Sequence, residues 1–440
     1  MAHRSFFFLF ITLFFCSFPQ AIARDKKQEK GNAVTGIPAA SLLNINNISS
    51  WYENNTRQEG NPITGNSGLT FPRGTTTAVF LSGLMFGAYC NDGAMPATQP
   101  RISGESYSTG FYPGAIIGNR TGVTEDPAAA DVRIWRIRRD YATADLRLDA
   151  AEINMTPEEL INDTQIADLR LQYKKDWQEW PAHKGAPFYD ANNDGIYSPQ
   201  FETVGGIEVP KRYPAADEPG LANADQVLWY VANDIRLGES PWKTKPLGLE
   251  QQVTIWGYNR TDAVGNMLFK KFKYIYKGTA TTPANGVLSN AYIAHWSDPD
   301  LGDAGDDFVG CDTTLNLGYT YNATGVDREY QKYHTIPPSV GFSILQGPVI
   351  PSPNDTAIVG LSKRPGFKNL PMTSFLYFAG YGNYADPPFN LYGSWQWYSI
   401  LQGFPPTPQP PPFPKKIIDP KTLDSTFFWL NGDPVINPNP

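Results

Sequence analysis

The chain has 440 residues, of which 36 are Lys or Arg and 43 are Asp or Glu, so its formal net charge is -7. This excess of acidic residues offers no basic surface for binding nucleic acid or an anionic membrane, so neither partner is expected. The length is sufficient for one large β domain or two ordinary domains with a sizeable core.

The N-terminus has the pattern of a secretory signal peptide, which we predict at residues 1–23. His3 and Arg4 form a short basic start, and an apolar run over residues 6–18 precedes a small-x-small cleavage pattern. The apolar run is too short for a membrane span, which needs about 20 residues. We therefore expect a secreted or cell-surface protein without a transmembrane segment after signal cleavage.

Two cysteines follow the predicted signal peptide, Cys90 and Cys311. In an oxidising compartment they either pair in a disulfide bond or remain as two buried thiols. A bond would close a long loop and add a few kcal/mol through the chain entropy of the unfolded state. The sequence gives no geometry to decide between the two, so the disulfide is a prediction with an open alternative.

Residues 24–70 are polar and rich in Asn and Gly, which predicts a loosely ordered lead-in with one short helix near 47–53. Residues 71–440 predict a β-rich extracellular domain. The pattern at 77–87 indicates a tight meander of two strands. The alternation of apolar and basic residues over 131–139 is typical of a half-buried strand.

One segment, at about residues 157–180, has the spacing of an amphipathic helix. Thr156 and Glu159 fit a capping box around Pro157, and Pro181 ends the pattern. The apolar residues of this segment recur at helical spacing. Such a stripe is typical of a packing face, and we assign it no binding function.

After this helix, short segments are rich in Val, Ile and aromatic residues and are bounded by Gly, Pro, Asn and Asp, which indicates strands. These segments lie at residues 225–232, 251–258, 267–276, 287–296, 339–349, 372–381 and 426–430. Strands without alternating helices predict a mainly β fold with an antiparallel, β-sandwich-like architecture and long acidic loops. Residues 395–401 fit either a helix or a strand, and the prolines of 404–416 predict an extended insertion.

The first of two acidic loops is a candidate calcium site. Side-chain oxygens fall at its positions one, three and five, and Gly195 at position six permits a sharp turn. Position twelve is Phe201, and a strand-like segment follows, so we predict a calcium loop in a β setting. The predicted ligands are Asp190, Asn192, Asp194, the carbonyl of Ile196 and, more distant, Glu202. The alternative is a turn in which Asp and Asn bond their own backbone.

The second acidic loop has six aspartates within residues 298–312, together with three glycines. Carboxylates at this density repel one another unless a cation or hydrogen-bond donors compensate. The candidate calcium ligands here are Asp298, Asp300, Asp303, Asp306 and Asp307. Two alternatives remain: a solvated acidic loop, and a carboxylate pair for sugar hydrolysis.

The sequence has none of the usual motifs for a serine hydrolase, a zinc peptidase, a phosphate-binding loop or a dinucleotide site, and we nominate no catalytic residue. His295 lies close to Asp298, but a packed, structural histidine is the favoured interpretation. The cluster of Trp395, Trp397 and Tyr398 is a candidate platform for glycan binding, with core packing as the alternative.

Several stretches occur together in an order that resembles a group of large secreted bacterial surface proteins of uncharacterised function. The stretches are residues 185–195, 224–234, 294–312, 316–322, 347–349, 370–375 and 432–435. The resemblance covers roughly residues 70–435 and implies export by type IX secretion. The sorting domain that such proteins often carry is not among the 440 residues. We therefore expect release by another route or a sequence that continues further.

Taken together, these features predict a secreted or cell-surface protein of the structural or adhesion type, stabilised by Ca2+. Its expected partners are glycans or other cell-surface components. The alternative is a secreted carbohydrate-active enzyme with a carboxylate pair like that of glycoside hydrolases. The sequence does not indicate an oligomeric state.

Overall fold

The structure, a computed structural model, describes residues 39–360, 362–378 and 385–406, and five further residues at 417–418, 425–426 and 428. The predicted signal peptide at 1–23, the lead-in as far as residue 38 and residues 407–416 of the proline-rich insertion lie outside the described residues. The described residues belong to one compact unit.

Strands dominate the described chain. The first eight are β1 (Ala40–Leu43), β2 (Ser49–Glu53), β3 (Leu69–Thr70), β4 (Thr77–Val79), β5 (Leu81–Cys90), β6 (Arg101–Gly104), β7 (Tyr112–Pro113) and β8 (Trp135–Arg138). The next eight are β9 (Phe188–Tyr189), β10 (Phe201–Val204), β11 (Ile207–Pro210), β12 (Glu218–Pro219), β13 (Gln226–Asn233), β14 (Leu249–Gly257), β15 (Phe269–Tyr276) and β16 (Leu288–Asp298). The last seven are β17 (Asp307–Asp312), β18 (Leu317–Asn322), β19 (Ser339–Ser343), β20 (Val349–Val359), β21 (Ser362–Asn369), β22 (Ile417–Ile418) and β23 (Ser425–Thr426).

Four α-helices accompany these strands. They are α1 (Arg147–Ile153), α2 (Asp163–Gln178), α3 (Arg328–Gln331) and α4 (Leu391–Leu401). Every strand pair is antiparallel, and the larger sheets follow the orders β1-β2-β3-β4, β16-β5-β6, β15-β14-β13-β7 with β8 beside β13, and β17-β18-β19. The predicted mainly β fold with antiparallel sheets is therefore confirmed.

Strand β13 lies at the centre of the packing because both of its faces are buried. Val227, Trp229 and Val231 face the helix α2 and belong to the core cluster around Trp177. Leu228 and Tyr230 alternate with them and pack against strands β1 and β2 from the other sheet. A strand covered on both sides reads as a continuous apolar run, which explains why this segment was predictable.

The N-terminal lead-in differs from the prediction. Residues 39–70 form β1, β2 and β3, and the predicted short helix at 47–53 is wrong because Ser49–Glu53 is strand β2. Several polar groups of this segment are buried and bonded to distant residues. The side-chain amide of Asn44 donates to Oδ1 of Asp149 at 3.1 Å, and its backbone nitrogen donates to Oε1 of Gln226 at 2.8 Å.

The predicted helix at 157–180 is present, but it begins later than predicted. Residues Glu158–Leu160 form a 3-10 turn, and the α-helix begins at Asp163 behind a capping box of Asn162 and Gln165. The predicted cap at Thr156 does not form. Ile161 is extended and buried against α1, and burying it interrupts the helical path.

Two strand predictions also need correction. The predicted tight meander at 77–87 is instead a short strand, β4, followed by the long strand β5, which pairs with β6 and β16. The predicted strand at 372–381 is absent from its described part, residues 372–378, apart from one bridge at Phe375. Residues 379–381 of that prediction lie outside the described chain.

Candidate functional site

The loop between β9 and β10 brings the three central predicted calcium ligands together. The carboxylate of Asp190 accepts from the backbone nitrogens of Asp194, at 3.2 Å, and Gly195, at 2.7 Å. Oδ1 of Asn192 accepts from the same Asp194 nitrogen at 3.2 Å, and its amide donates to Oδ2 of Asp194 at 2.8 Å. Oδ1 of Asp194 accepts from the nitrogen of Ile196 at 2.7 Å. All three side chains therefore turn inward on a tight, exposed loop.

The backbone explains why a glycine stands at position six of this loop. Asn193 and Gly195 both have positive φ angles, 58° and 76°. A left-handed conformation is accessible to glycine without strain and is tolerated by asparagine. The chain therefore reverses direction within a few residues, as the sequence predicted.

Asp217 is a member of this site that the sequence analysis missed. It is 2% exposed, its Oδ1 accepts from the nitrogen of Ala191 at 2.9 Å, and its Oδ2 accepts from the nitrogen of Ser198 at 2.7 Å. One buried carboxylate thus holds both ends of the loop. Asp217 reaches the loop because the adjacent strand β12 pairs with β9, a long-range pairing that no local motif indicates.

Glu202 lies on β10, opposite Val209, with an exposed side chain. Ile196 is 66% exposed. Among the described residues no hydrogen bond or ion pair joins Glu202 to the loop, and its role as a distal ligand stays a prediction. Across the described chain, no three His, Cys, Asp or Glu side chains are grouped in a way that would hold a metal ion.

The second acidic loop distributes its aspartates among different roles. Asp298 ends β16 and pairs with Leu81, and Tyr107 hydrogen-bonds to it. Asp303 accepts from the nitrogen of Gly305 at 3.2 Å. Oδ1 of Asp306 accepts from the amide of Asn322, and Oδ2 of Asp307 accepts from the nitrogen of Leu301. Hydrogen-bond donors from inside and outside the loop therefore compensate part of the charge on its carboxylates.

The sequence analysis also missed Asp327, a buried residue at the N-terminus of α3. Its Oδ2 accepts from the nitrogen of Asp303 at 2.9 Å, and its Oδ1 accepts from the nitrogens of Glu329 and Tyr330. A Cβ atom at Gly302 would lie 2.2 Å from Oδ1 of Asp327. Only glycine permits this close approach, so Gly302 and Asp327 together fix the loop.

Asp307 has the most perturbed carboxyl group in this loop. Burial raises its pKa to about 7, and the neighbouring charges of Asp300, Asp306 and Asp327 add to the increase. The nitrogen of Leu301 opposes this effect by donating to Oδ2. Near neutral pH a substantial fraction of this carboxyl group is therefore protonated.

His295 is a packed residue rather than a base. Its ring stacks on Phe342 with the centroids 4.5 Å apart. Burial, aided by the nearby charge of Lys270, lowers its pKa to about 3, so the ring is neutral at physiological pH. The favoured structural interpretation is consistent with this arrangement.

The predicted glycan platform is wrong for two of its three residues. Trp397 and Tyr398 are each 1% exposed and lie on α4, which packs them against Trp242 and Trp296. Trp395 is half-buried. The sequence left this segment open between a helix and a strand, and the helix turns Trp397 and Tyr398 inward.

The predicted disulfide bond is not formed in the structure. Cys90 and Cys311 are both buried thiols. Cys90 ends β5, opposite Leu288, whereas Cys311 lies on β17, opposite Gly318 in a different sheet. The structure therefore has the alternative arrangement, two buried thiols on strands that are not neighbours in a sheet.

Comparison with protein-family models, with curated proteins and with solved structures finds no match for this chain. The resemblance to secreted bacterial surface proteins therefore stays a prediction. Among the helices within the described ranges, none has the length and apolar character needed to cross a membrane.

Proposed function

We propose that the chain is a secreted or cell-surface binding protein of the structural or adhesion type, stabilised by calcium. Its partners are glycans or other components of a cell surface. The signal-peptide pattern, the mainly β fold and the two acidic loops support this proposal. An acidic chain without a basic footprint also suits an extracellular partner better than nucleic acid.

The observation that carries the proposal is the convergence of Asp190, Asn192 and Asp194 on one loop held at both ends by buried Asp217. Calcium takes six to eight oxygen ligands from carboxylates, amide and backbone carbonyls, and water. The three side chains and the carbonyl of Ile196 would supply part of this set, and water the rest. Millimolar calcium suits such a weak site, with a dissociation constant on the order of 10⁻⁴ to 10⁻³ M.

Calcium at 5 mM is expected to raise the free energy of unfolding by about 1–2 kcal/mol, because it binds the folded loop and not the unfolded chain. Asp194→Ala removes a carboxylate from the loop and should lose most of this gain. The measurement is a thermal melt of the wild type and the variant, with calcium and then with chelator.

Asp163→Ala is the matched control, since this side chain is 99% exposed at the start of α2 and far from the loop in sequence. It should keep the full response to calcium. Identical wild-type melts in calcium and in chelator would remove calcium from the proposal and leave the loop as a hydrogen-bonded turn.

The binding role is tested separately on a glycan array with calcium-loaded protein. Specific retention of a glycan class supports the adhesion-type function, and retention lost in chelator would connect the loop to it. Binding to no glycan on the array, and to no intact cell surface, would contradict the binding role.

A carbohydrate-active enzyme is the second candidate, and one observation favours it. The pKa of Asp307 is raised to about 7 beside Asp300, and a carboxylic acid of raised pKa near a second carboxylate is the requirement for sugar hydrolysis. Release of reducing sugar from a polysaccharide panel, abolished in Asp307→Asn, would establish this function. It would also overturn the non-enzymatic proposal.

A further inference from the structure

A cavity of about 260 Å³ lies between β1, β8, α1 and α2, apart from both acidic loops. Most of its wall surface is apolar. The aliphatic lining residues are Ala39, Ala40, Ile134, Ile153 and Leu169. An engineered apolar cavity of about 150 Å³ holds benzene, with six carbon atoms. The volume here therefore suits a ligand of roughly ten non-hydrogen atoms.

The remaining wall carries Ser41, Arg133, Arg136, Gln172, Tyr173 and Asp176. Nη1 of Arg133 lies 2.6 Å from Oδ1 of Asp176, and the guanidinium group lies 3.7 Å above the ring of Trp135. Arg136 is 4% exposed. The cavity thus has an apolar side and a guanidinium side.

Both arginines keep donors that the described residues leave without an acceptor. These are Nη2 of Arg133 and Nε and Nη1 of Arg136, all buried. Nη2 of Arg136 is occupied with Asp149, at 2.5 Å, and with Asn44, at 2.8 Å. A buried donor without an acceptor is unfavourable, and a planar guanidinium group is suited to a carboxylate. The three donors without an acceptor therefore suit a carboxylate brought by a ligand.

The charges around this wall are balanced within the protein. Arg133 pairs with Asp176, and Arg136 pairs with Asp149. Glu152, whose charge acts on Arg136, pairs with Arg73. A ligand carboxylate would therefore be held by the guanidinium donors that have no acceptor, not by an excess of positive charge.

We propose that this cavity binds a small aliphatic carboxylate, with its carboxylate group on Arg133 and Arg136 and its chain against Ile153 and Leu169. This site goes beyond the proposed calcium-stabilised function and does not rest on it. A ligand of eight to ten non-hydrogen atoms corresponds to a dissociation constant on the order of 1 mM. Octanoate and hexanoate are the probes of matching size.

The experiment is calorimetric titration of the full chain with sodium octanoate and sodium hexanoate, with hexylammonium chloride as the oppositely charged control. Both carboxylates are expected to bind with a dissociation constant on the order of 1 mM. Hexylammonium should bind at least tenfold more weakly, because it places a cation on the guanidinium side. Equal binding of the ammonium compound would overturn the proposal.

Leu169→Phe fills the cavity without touching the arginines and should weaken octanoate binding at least tenfold. Leu171→Phe, at a position on the same helix that is 62% exposed, is the matched control and should bind as the wild type does. Arg133→Gln provides a second test, since it removes the charge from a partly exposed position. Circular dichroism confirms folding first, and unchanged octanoate binding in Leu169→Phe or in Arg133→Gln contradicts the site.

Discussion

Replacing Asp149 by alanine is expected to lower the free energy of unfolding by about 3–5 kcal/mol, because the change leaves a buried guanidinium group unpaired. Asp149 is 1% exposed. Its Oδ1 accepts from Nη2 of Arg136 at 2.5 Å and from the amide of Asn44 at 3.1 Å, and its Oδ2 accepts from the hydroxyl of Tyr173 at 2.6 Å. Three separate elements therefore lose a shared acceptor at once.

Burial raises the pKa of Asp149, but the charge of Arg136 and the hydroxyl of Tyr173 outweigh it, and the net pKa lies below the ordinary value. A lowered carboxyl pKa stabilises the fold above the unfolded-state pKa and loses this effect as the pH falls through the folded-state pKa. The wild type should therefore lose part of the Asp149 contribution in acid.

Asp140→Ala is the matched control for Asp149→Ala. Asp140 pairs with Arg138 at 2.6 Å, but its side chain is 47% exposed, so its loss should cost about 1 kcal/mol or less. Urea unfolding followed by tryptophan fluorescence measures all three proteins. A loss at Asp149→Ala no larger than at Asp140→Ala would show that the buried network contributes little.

Replacing Glu105 by glutamine is expected to stabilise the protein at pH 8–9 by up to about 5 kcal/mol, and to have little effect near pH 5. Glu105 is 1% exposed, and neither of its carboxylate oxygens has a hydrogen-bond partner among the described residues. The nearby hydroxyl of Thr109 donates instead to the carbonyl of Asn55 at 2.8 Å. Burial raises the pKa of Glu105 from 4.5 to about 8, against a weaker opposing effect of Arg57.

The direction in which stability changes with pH follows from whether the folded or the unfolded state binds the proton of Glu105 more tightly. Between pH 4.5 and about 8 the unfolded chain ionises Glu105 while the folded protein keeps it neutral. The folded state then binds more protons than the unfolded state, so stability falls as the pH rises through this window. Glutamine has the same shape and no charge, and it removes this loss.

The measurement is the free energy of unfolding in urea at pH 5, 6.5, 8 and 9 for the wild type and Glu105→Gln. The exposed Glu158, substituted in the same way, controls for the change of residue type. The difference between the wild type and Glu105→Gln should grow with pH and then level off. A difference that does not vary with pH would mean that Glu105 is ionised in the folded protein throughout.

The sequence predicted where strands and helices lie better than it predicted which residues contact them. The alternation over residues 131–139 correctly indicated β8, but it suggested that the basic residues face solvent. Arg136 is buried instead, because Asp149 from α1 and Asn44 from the connection after β1 supply its acceptors. Local periodicity shows which residues of a strand share a face. It does not show which distant residues cover that face.

The same reason separates the parts of the candidate site that were predictable from those that were not. Asp190, Asn192 and Asp194 were recognisable because their spacing alone places their oxygens on one turn. Asp217 and Asp327 lie well outside the two acidic loops in sequence, yet each accepts hydrogen bonds from one of these loops. No spacing rule connects either residue to its loop. The inward direction of Trp397 likewise depends on α4 docking against β5 and β16.

The lead-in strands also determine when this chain can finish folding during synthesis. Asn44 on the connection after β1 needs Gln226, which lies 182 residues later, and Tyr52 on β2 packs against Tyr230. The ribosome therefore makes these strands long before it makes the residues that cover them. Contacts between segments so far apart in sequence close slowly. In the interval, the unpaired edges of β1 and β2 are open to association with other chains.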